Sequence, residues 1–241
     1  MNKITKNIAN ILTSINLFSG CVGIFLVLNN YFIYAFYAML ISAIADFLDG
    51  FAARLFKADG GIGKDLDSLA DVVTFGVLPG FFMFQLIDIQ GYEFLGYEAK
   101  WLALLIPVFS AWRLAIFNND TRQTTGFIGL PTPANALILA SFVIWALVGK
   151  SCLDFPDFLD NVWAVLAIIV LSCYLLVSPL PLIALKFKGF NIKKDYLKLL
   201  LIFWILGLAI FLTFAAAIPA LISYIIISIL NHKFYEIQSR S

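Results

Sequence analysis

The feature that most constrains this chain is a succession of apolar stretches, each about as long as a membrane-spanning helix. A helix needs roughly 20 mostly apolar residues to cross the hydrocarbon core of a bilayer. Charged residues, prolines or glycines separate the stretches. They predict an all-α fold, a polytopic transmembrane helical bundle of about eight spans, in a single domain over residues 1–241. The predicted spans lie near 11–28, 31–56, 66–87, 101–118, 133–149, 161–185, 197–213 and 217–233.

The composition leaves little room for structure outside the membrane. Apolar and aromatic residues make up 62% of the chain, charged residues only 13%, and the mean hydropathy is +0.94, far above that of soluble domains. Eight spans with short loops use up nearly all 241 residues, so no sizeable extramembrane domain is expected. The net charge of +1 argues against a nucleic-acid partner held by a basic face. Membrane lipid is the expected surrounding.

The basic residues predict the orientation of the chain. Lys and Arg are retained on the cytoplasmic side of spanning helices, so a cytoplasmic N-terminus predicts where each one falls. Fourteen of the 16 then lie on the cytoplasmic side, and only Lys100 and Lys150 lie opposite. The sequence therefore predicts a multi-pass protein of the cell (inner) membrane. The fourteen are Lys3, Lys6, Arg54, Lys57, Lys64, Arg113, Arg122, Lys186, Lys188, Lys193, Lys194, Lys198, Lys233 and Arg240.

Four aspartates around the second and third spans form the most informative pattern. Asp46 and Asp49 are three residues apart, and Asp67 and Asp71 are four apart, so each pair shares one face of a helix. A glycine-rich turn over residues 57–64 joins the two helices on the cytoplasmic side. We therefore expect the four carboxylates to converge.

Such a cluster needs positive charge. One Asp at a helix centre costs roughly 2.5–3.5 kcal/mol, and clustered carboxylates also repel one another. An all-oxygen ligand set favours Mg²⁺ or Mn²⁺, and Mg²⁺ is commonly held by carboxylates together with substrate phosphates. The cluster thus predicts a metal site and a phosphate-bearing substrate. Intramembrane carboxylates can also line the pathway of an ion transporter, but they would then be spread along several spans.

Small and basic residues accompany the aspartates. Gly50 and Ala53 lie on the same helical stripe as Asp46 and Asp49, where they either let a nucleotide approach the backbone or serve close helix packing. Arg54 either clamps a phosphate or extends to the membrane interface.

The residues from Asp46 to Asp71 resemble the motif of the CDP-alcohol phosphotransferase family. That motif reads Asp-x2-Asp-Gly-x2-Ala-Arg-x8-Gly-x3-Asp-x3-Asp, and every fixed position is matched here. The resemblance implies a helical bundle with a polar cavity open to the cytoplasm, two divalent ions, and transfer of a substituted phosphate from a CDP-linked donor to an alcohol with release of CMP. A homodimer is usual in the family.

The same resemblance implies roles for individual residues. Asp46, Asp49, Asp67 and Asp71 would be metal ligands, and Asp71 would also be the general base for the acceptor hydroxyl. The CDP site would be lined by Asp49, Gly50, Ala53, Arg54 and Gly63.

A polar stripe on the first span is a further candidate for the CDP site. Asn10, Thr13, Asn16 and Ser19 recur every three residues. They either face the nucleotide, for which Asn10 and Thr13 are the candidates, or form hydrogen bonds between helices.

Residues flanking the motif bear on the acceptor alcohol. Ser68, Val72 and the Phe75-Gly76-x-x-Pro79 element are similar to members of the family that use L-serine, and residues 10–20, 113–118 and 129–134 are similar to them too. This implies CDP-diacylglycerol and L-serine as substrates. The same transfer to choline, inositol or glycerol 3-phosphate is the alternative.

A serine pocket needs a cation for the carboxylate of serine. Arg113 is the leading candidate, with Asn118 and Lys186 as further candidates. The alternative for Arg113 is that it anchors its helix at the cytoplasmic interface.

Overall fold

The computed structural model describes residues 3–55, 62–119, 127–149, 154, 157, 160–182, 204, 207 and 212–240. Nearly all of this part of the chain is helical, as the hydropathy predicted. The α-helices are α1 (Lys3–Leu28), α2 (Phe32–Leu55), α3 (Ile62–Val72), α4 (Leu78–Gln90), α5 (Leu105–Asn119), α6 (Thr132–Val148), α7 (Val162–Val177) and α8 (Ala217–Arg240).

Within the part of the chain that the structure describes, four helical segments are long and apolar enough to cross a membrane: Ile8–Leu28, Phe32–Ala53, Ile62–Gln90 and Ala99–Asn119. Three shorter apolar helices cover Thr132–Val148, Val162–Val177 and Thr213–Ser228. The chain is thus an all-α membrane protein. Seven of the predicted spans overlap these seven helical segments, of which four are long enough to cross a membrane, and the span predicted near 197–213 falls largely outside the described residues.

The third span is one helical run with a change of winding in its middle. A π-helical segment, Val73–Val77, connects α3 to α4. Pro79 follows it, and because a proline ring clashes with the carbonyl four residues earlier, regular α-helical winding is disfavoured at Phe75. Single π-helical turns are frequent at functional sites. This one begins two residues after Asp71.

The sixth predicted span was wrong at its C-terminal end. The sequence predicted it to run to residue 185, but α7 ends at Val177 and Ser178 is extended. Pro179 and Pro181 follow, and a proline both lacks the amide hydrogen that a helix needs and disfavours helical backbone in the residue before it. A short strand β4 (Pro181–Leu182) forms here instead, antiparallel to β3 (Phe127–Ile128).

The core lies around α4. Leu78, Phe82 and Met83 are fully buried between α1, α2, α6 and the segment before α5. The outer faces of α1 and α2 carry large exposed apolar side chains, such as Phe18 (70% exposed) and Phe47 (68% exposed). In a membrane protein such faces contact lipid or another subunit.

Polar residues line one end of the bundle. The sequence predicted this end to lie on the opposite side of the membrane from the motif aspartates of α2 and α3. A hairpin of β1 (Glu93–Phe94) and β2 (Tyr97–Glu98) leads into the 3₁₀ segment Ala99–Leu104, where Lys100 Nζ lies 2.6 Å from Asp88 Oδ1. Tyr92 donates a hydrogen bond of 2.6 Å to Asp160. Partial burial and this carboxylate raise the pKa of Tyr92, which keeps it a donor.

Candidate active site

Three of the four motif aspartates lie together where α2 meets α3. Asp46, Asp49 and Asp67 each contribute one carboxylate oxygen to a group of three. These three oxygens all lie within 4.8 Å of one another. Asp49 is only 5% exposed, and the other two are half-buried. The helical spacing predicted that all four motif carboxylates converge, and three of them meet here. We call these three residues the aspartate cluster.

Asp71 stands beside the aspartate cluster, one helical turn after Asp67. It is close enough to Asp46, Asp67 and Asp49 to interact electrostatically with each of them. Its Oδ1 atom accepts a hydrogen bond of 3.3 Å from Nδ2 of Asn16 on α1. The fourth carboxylate thus joins the same site but has a different set of contacts.

Two side chains of the polar stripe on α1 bind these carboxylates. Thr13, which is 3% exposed, donates a hydrogen bond of 2.6 Å from Oγ1 to Asp49 Oδ2. Asn16, which is fully buried, donates to Asp71. These two residues of the stripe therefore make hydrogen bonds between helices, and their partners are motif aspartates.

Gly63 of the motif lies where α3 comes close to α1. A Cβ atom at Gly63 would lie 3.1 Å from Asn10 Oδ1, so α1 and α3 approach closely there. Gly50 and Ala53 are half-buried on α2. Arg54 lies in the last turn of α2, but its side chain is outside the part of the chain that the structure describes.

Arg113 is buried inside the bundle. It is 6% exposed on α5, close enough to Asp71 and Tyr224 to interact electrostatically with both. Its guanidinium carbon lies 5.1 Å from the centroid of the Phe117 ring. An interfacial anchor would extend toward water. The burial therefore favours the interpretation in which Arg113 serves the site.

The end of α5 is attached to α3 by an exposed hydrogen-bond network. Asn118 Nδ2 donates to Ser68 Oγ at 2.8 Å, and Lys64 Nζ donates to the Asn118 carbonyl at 3.4 Å. Ser68 is the neighbour of Asp67 in the sequence, so Asn118 is held near the aspartate cluster. Lys186, the third candidate for the serine pocket, lies outside the described residues.

Two neighbours of the site were not predicted as site residues. The sequence placed Asn16 in the polar stripe but did not connect it with Asp71, although its spacing of three from Thr13 was a usable signal. Tyr224, on α8, is 6% exposed and lies near Arg113. Its apolar surroundings in the sequence carry no signal of this contact.

The aspartate cluster is suited to a divalent metal ion. Its donors are all carboxylate oxygens, which Mg²⁺ and Mn²⁺ prefer, and Mg²⁺ binds its ligands at about 2.0–2.1 Å in an octahedron. Oxygens already within 4.8 Å of one another need only small movements to share one such ion. A bound cation would also relieve the mutual repulsion of the carboxylates.

Comparisons with known proteins agree with this site. The sequence profile of the CDP-alcohol phosphatidyltransferase family matches residues 6–172, which include the whole aspartate motif, Arg113 and Asn118.

Curated relatives match over a similar region. A CDP-diacylglycerol–serine O-phosphatidyltransferase of Helicobacter pylori is 36% identical over 137 residues, 56% of this chain and 56% of the relative. A protein of the same name from Methanocaldococcus jannaschii is 34% identical over 56% of this chain and 59% of its own length. An archaetidylserine synthase of Methanothermobacter thermautotrophicus is 34% identical over 59% of this chain and 60% of its own length.

These alignments span little more than half the length of the relatives. The family profile, in contrast, covers more than half of this chain and all of the motif residues. Together with the convergence of the aspartates, the match shows that this chain belongs to the CDP-alcohol phosphatidyltransferase family.

Proposed function

We propose that this protein transfers the phosphatidyl group of CDP-diacylglycerol to L-serine, giving phosphatidylserine and CMP. The observation that carries this proposal is the meeting of three carboxylates beside Asp71, with the buried Arg113 next to Asp71. The names of the relatives in Helicobacter pylori and Methanocaldococcus jannaschii support serine as the acceptor.

In the proposed reaction the serine hydroxyl oxygen attacks the phosphorus that carries the diacylglycerol. A new P–O bond forms, the anhydride P–O bond breaks, and CMP leaves with the electron pair. Asp71 accepts the proton of the hydroxyl as the new bond forms. An ordinary carboxylate is a weak base toward an alcohol, so the proton moves only as the transition state develops.

We propose that Asp46, Asp49, Asp67 and Asp71 hold two divalent ions, Mg²⁺ or Mn²⁺. When bound, these ions would neutralise the diphosphate and stabilise the charge that develops on the leaving CMP. Thr13 orients Asp49 by its hydrogen bond, and Asn16 orients Asp71. The CDP moiety would lie along Asp49, Gly50, Ala53, Arg54 and Gly63, with Asn10 and Thr13 of α1 opposite.

The acceptor pocket would lie on the α5 side of Asp71. Arg113 offers a buried cation for the serine carboxylate, and such a charge-assisted pair is strong when it is shielded from water. Asn118 and Lys186 are the further proposed contacts.

The remaining parts of the proposal concern the membrane. We propose about eight spans, a polar cavity open to the cytoplasm, a location in the cell (inner) membrane, and a homodimer. The distribution of Lys and Arg supports a cytoplasmic N-terminus and active site. The transporter alternative requires carboxylates along several spans, whereas those of α2 and α3 gather at one place.

The test uses the purified full-length protein in detergent with CDP-diacylglycerol and Mn²⁺. Serine, choline, inositol and glycerol 3-phosphate are supplied separately, and CMP release is measured. Release that depends on serine supports the proposal, and release with another alcohol alone contradicts the choice of acceptor. Chelation should abolish release, and added Mg²⁺ or Mn²⁺ should restore it. Serine-dependent release that survives chelation would contradict the metal site.

A further inference from the structure

Asn16 is held at the junction of three helical segments. Its backbone carbonyl accepts a hydrogen bond from Ser42 Oγ of α2 at 3.0 Å and another from Thr74 Oγ1 of the π-helical segment at 3.2 Å. Its side chain is fully buried, and Nδ2 donates to Asp71 Oδ1. Both the backbone and the amide of Asn16 are therefore fixed.

The contact with Asp71 also fixes which way the amide faces. Because Nδ2 is the amide atom that donates to Asp71 Oδ1, the amide oxygen of Asn16 faces away from that carboxylate oxygen. This oxygen, Oδ1, is buried and has no hydrogen-bond partner among the residues that the structure describes. Native proteins rarely leave a buried carbonyl oxygen unpaired, so a donor is expected there.

The position of Oδ1 indicates the kind of donor. The oxygen and nitrogen of one amide share a carbon atom, so Oδ1 is adjacent to the group that holds Asp71. In the proposed function, on which this inference rests, the hydroxyl of the acceptor lies at Asp71. The ammonium of L-serine is attached two carbons from that hydroxyl and carries three N–H donors. A carbonyl oxygen beside the hydroxyl site matches it.

We infer that Asn16 binds the α-ammonium group of the acceptor through Oδ1 and orients Asp71 through Nδ2. Arg113, on α5, repels an ammonium and attracts a carboxylate. The ammonium of serine would therefore face Asn16 on α1, and its carboxylate would face Arg113 on α5. The quaternary nitrogen of choline has no N–H to donate, and inositol and glycerol 3-phosphate have no ammonium. Asn16 thereby contributes to the selection of the acceptor.

The test compares L-serine with 3-hydroxypropanoate, which is serine without the ammonium. CMP release gives the KM for serine, and competition gives the inhibition constant of 3-hydroxypropanoate. Asn16→Ala should raise the KM for serine by roughly 10- to 100-fold, the range for a lost hydrogen bond to a charged group. The inhibition constant of 3-hydroxypropanoate should change by less than about twofold, within the additivity error of independent sites.

Ser42→Ala is the matched control, because it removes a hydrogen bond at the same junction but leaves the Asn16 side chain in place. It should keep the preference for serine over 3-hydroxypropanoate. Thermal unfolding in detergent checks that the variants are folded. If Asn16→Ala does not fold, Asn16→Ser, whose hydroxyl is too short to reach both groups, replaces it with the same expectation.

Three results would overturn the inference. If Asn16 only positions Asp71, its variant lowers kcat and leaves the selectivity for serine unchanged. If Oδ1 binds a metal ion, the variant needs more Mn²⁺ and the selectivity is again unchanged. If the native protein releases no CMP with serine, the proposed function fails and this inference fails with it, whereas unchanged selectivity in an active enzyme refutes the inference alone.

Discussion

Thr13 Oγ1 donates a hydrogen bond of 2.6 Å to Asp49 Oδ2, and this bond connects α1 to the most buried carboxylate of the aspartate cluster. The bond orients the Asp49 carboxylate beside those of Asp46 and Asp67. Loss of a group that orients a metal ligand in this way typically lowers metal affinity by about 10- to 100-fold.

We therefore expect Thr13→Val, which keeps the shape of the side chain but removes the hydroxyl, to weaken Mn²⁺ binding by about 10- to 100-fold. Thr13→Ser retains the donor and should stay close to the native affinity. The Mn²⁺ dependence of CMP release measures the change, and electron paramagnetic resonance of free Mn²⁺ measures binding directly. Equal affinities of the Val and Ser variants would contradict the role of this hydrogen bond.

The second prediction concerns Asp71 as the general base. Asp71→Asn keeps the size of the side chain and an oxygen that can accept from Asn16, but it cannot take up a proton. We expect CMP release to fall by about 10²- to 10⁴-fold, the usual contribution of a general base, while CDP-diacylglycerol still binds. Turnover and equilibrium binding of the donor are measured on the same preparation.

Asp65→Asn is the matched control for this variant. Asp65 lies in the first turn of the same helix, is exposed, and is not part of the aspartate cluster. It should leave both turnover and binding near the native values. An equal loss of donor binding and turnover in Asp71→Asn would indicate that Asp71 serves only to hold metal.

The convergence of Asp46, Asp49 and Asp67 could be predicted because it depends on local geometry. Helical spacing fixes which residues share a face, and a short turn limits how two consecutive helices can pack. The positions of the spans were predictable for a similar reason, since a bilayer requires long apolar runs.

The contacts of the polar stripe and of Arg113 could not be predicted in this way. Asn16 meets Asp71 across 55 residues of sequence, and Arg113 meets Tyr224 across 111, so these pairs depend on how whole helices pack. The end of α7 was missed because apolar residues continue past Ser178, whereas the backbone of Pro179 and Pro181 ends the helix.

The third prediction concerns the close approach of α1 to the π-helical segment. A Cβ atom at Gly20 would collide with Thr74 Oγ1 and lie 3.1 Å from the Thr74 Cα, so the backbone would have to move. A Cβ atom at Gly23 would instead lie 2.7 Å from Leu78 Cδ2, so a shift of a side-chain end rather than of the backbone relieves the contact. We expect Gly20→Ala to lose about 1–3 kcal/mol of stability, as overpacked cores do, and Gly23→Ala to lose less.

Thermal unfolding in detergent measures this difference. Because Thr74 also binds the Asn16 carbonyl, Gly20→Ala should in addition lower CMP release, even at temperatures where it is fully folded. Equal melting temperatures of the two variants would show that α1 and the π-helical segment are not held as closely as described.

The fourth prediction separates the two roles considered for Arg113. If its guanidinium binds the serine carboxylate, Arg113→Lys should raise the KM for serine by about 10- to 100-fold, because a lysine keeps the charge but loses the paired hydrogen bonds. The KM for CDP-diacylglycerol should stay near the native value, since the proposed CDP site is formed by residues of α1, α2 and α3 and not by α5. Lys100→Ala removes a cation at the far rim of the bundle and should change neither constant. A fall in kcat with an unchanged KM for serine would assign Arg113 to its neighbour Asp71 rather than to the acceptor.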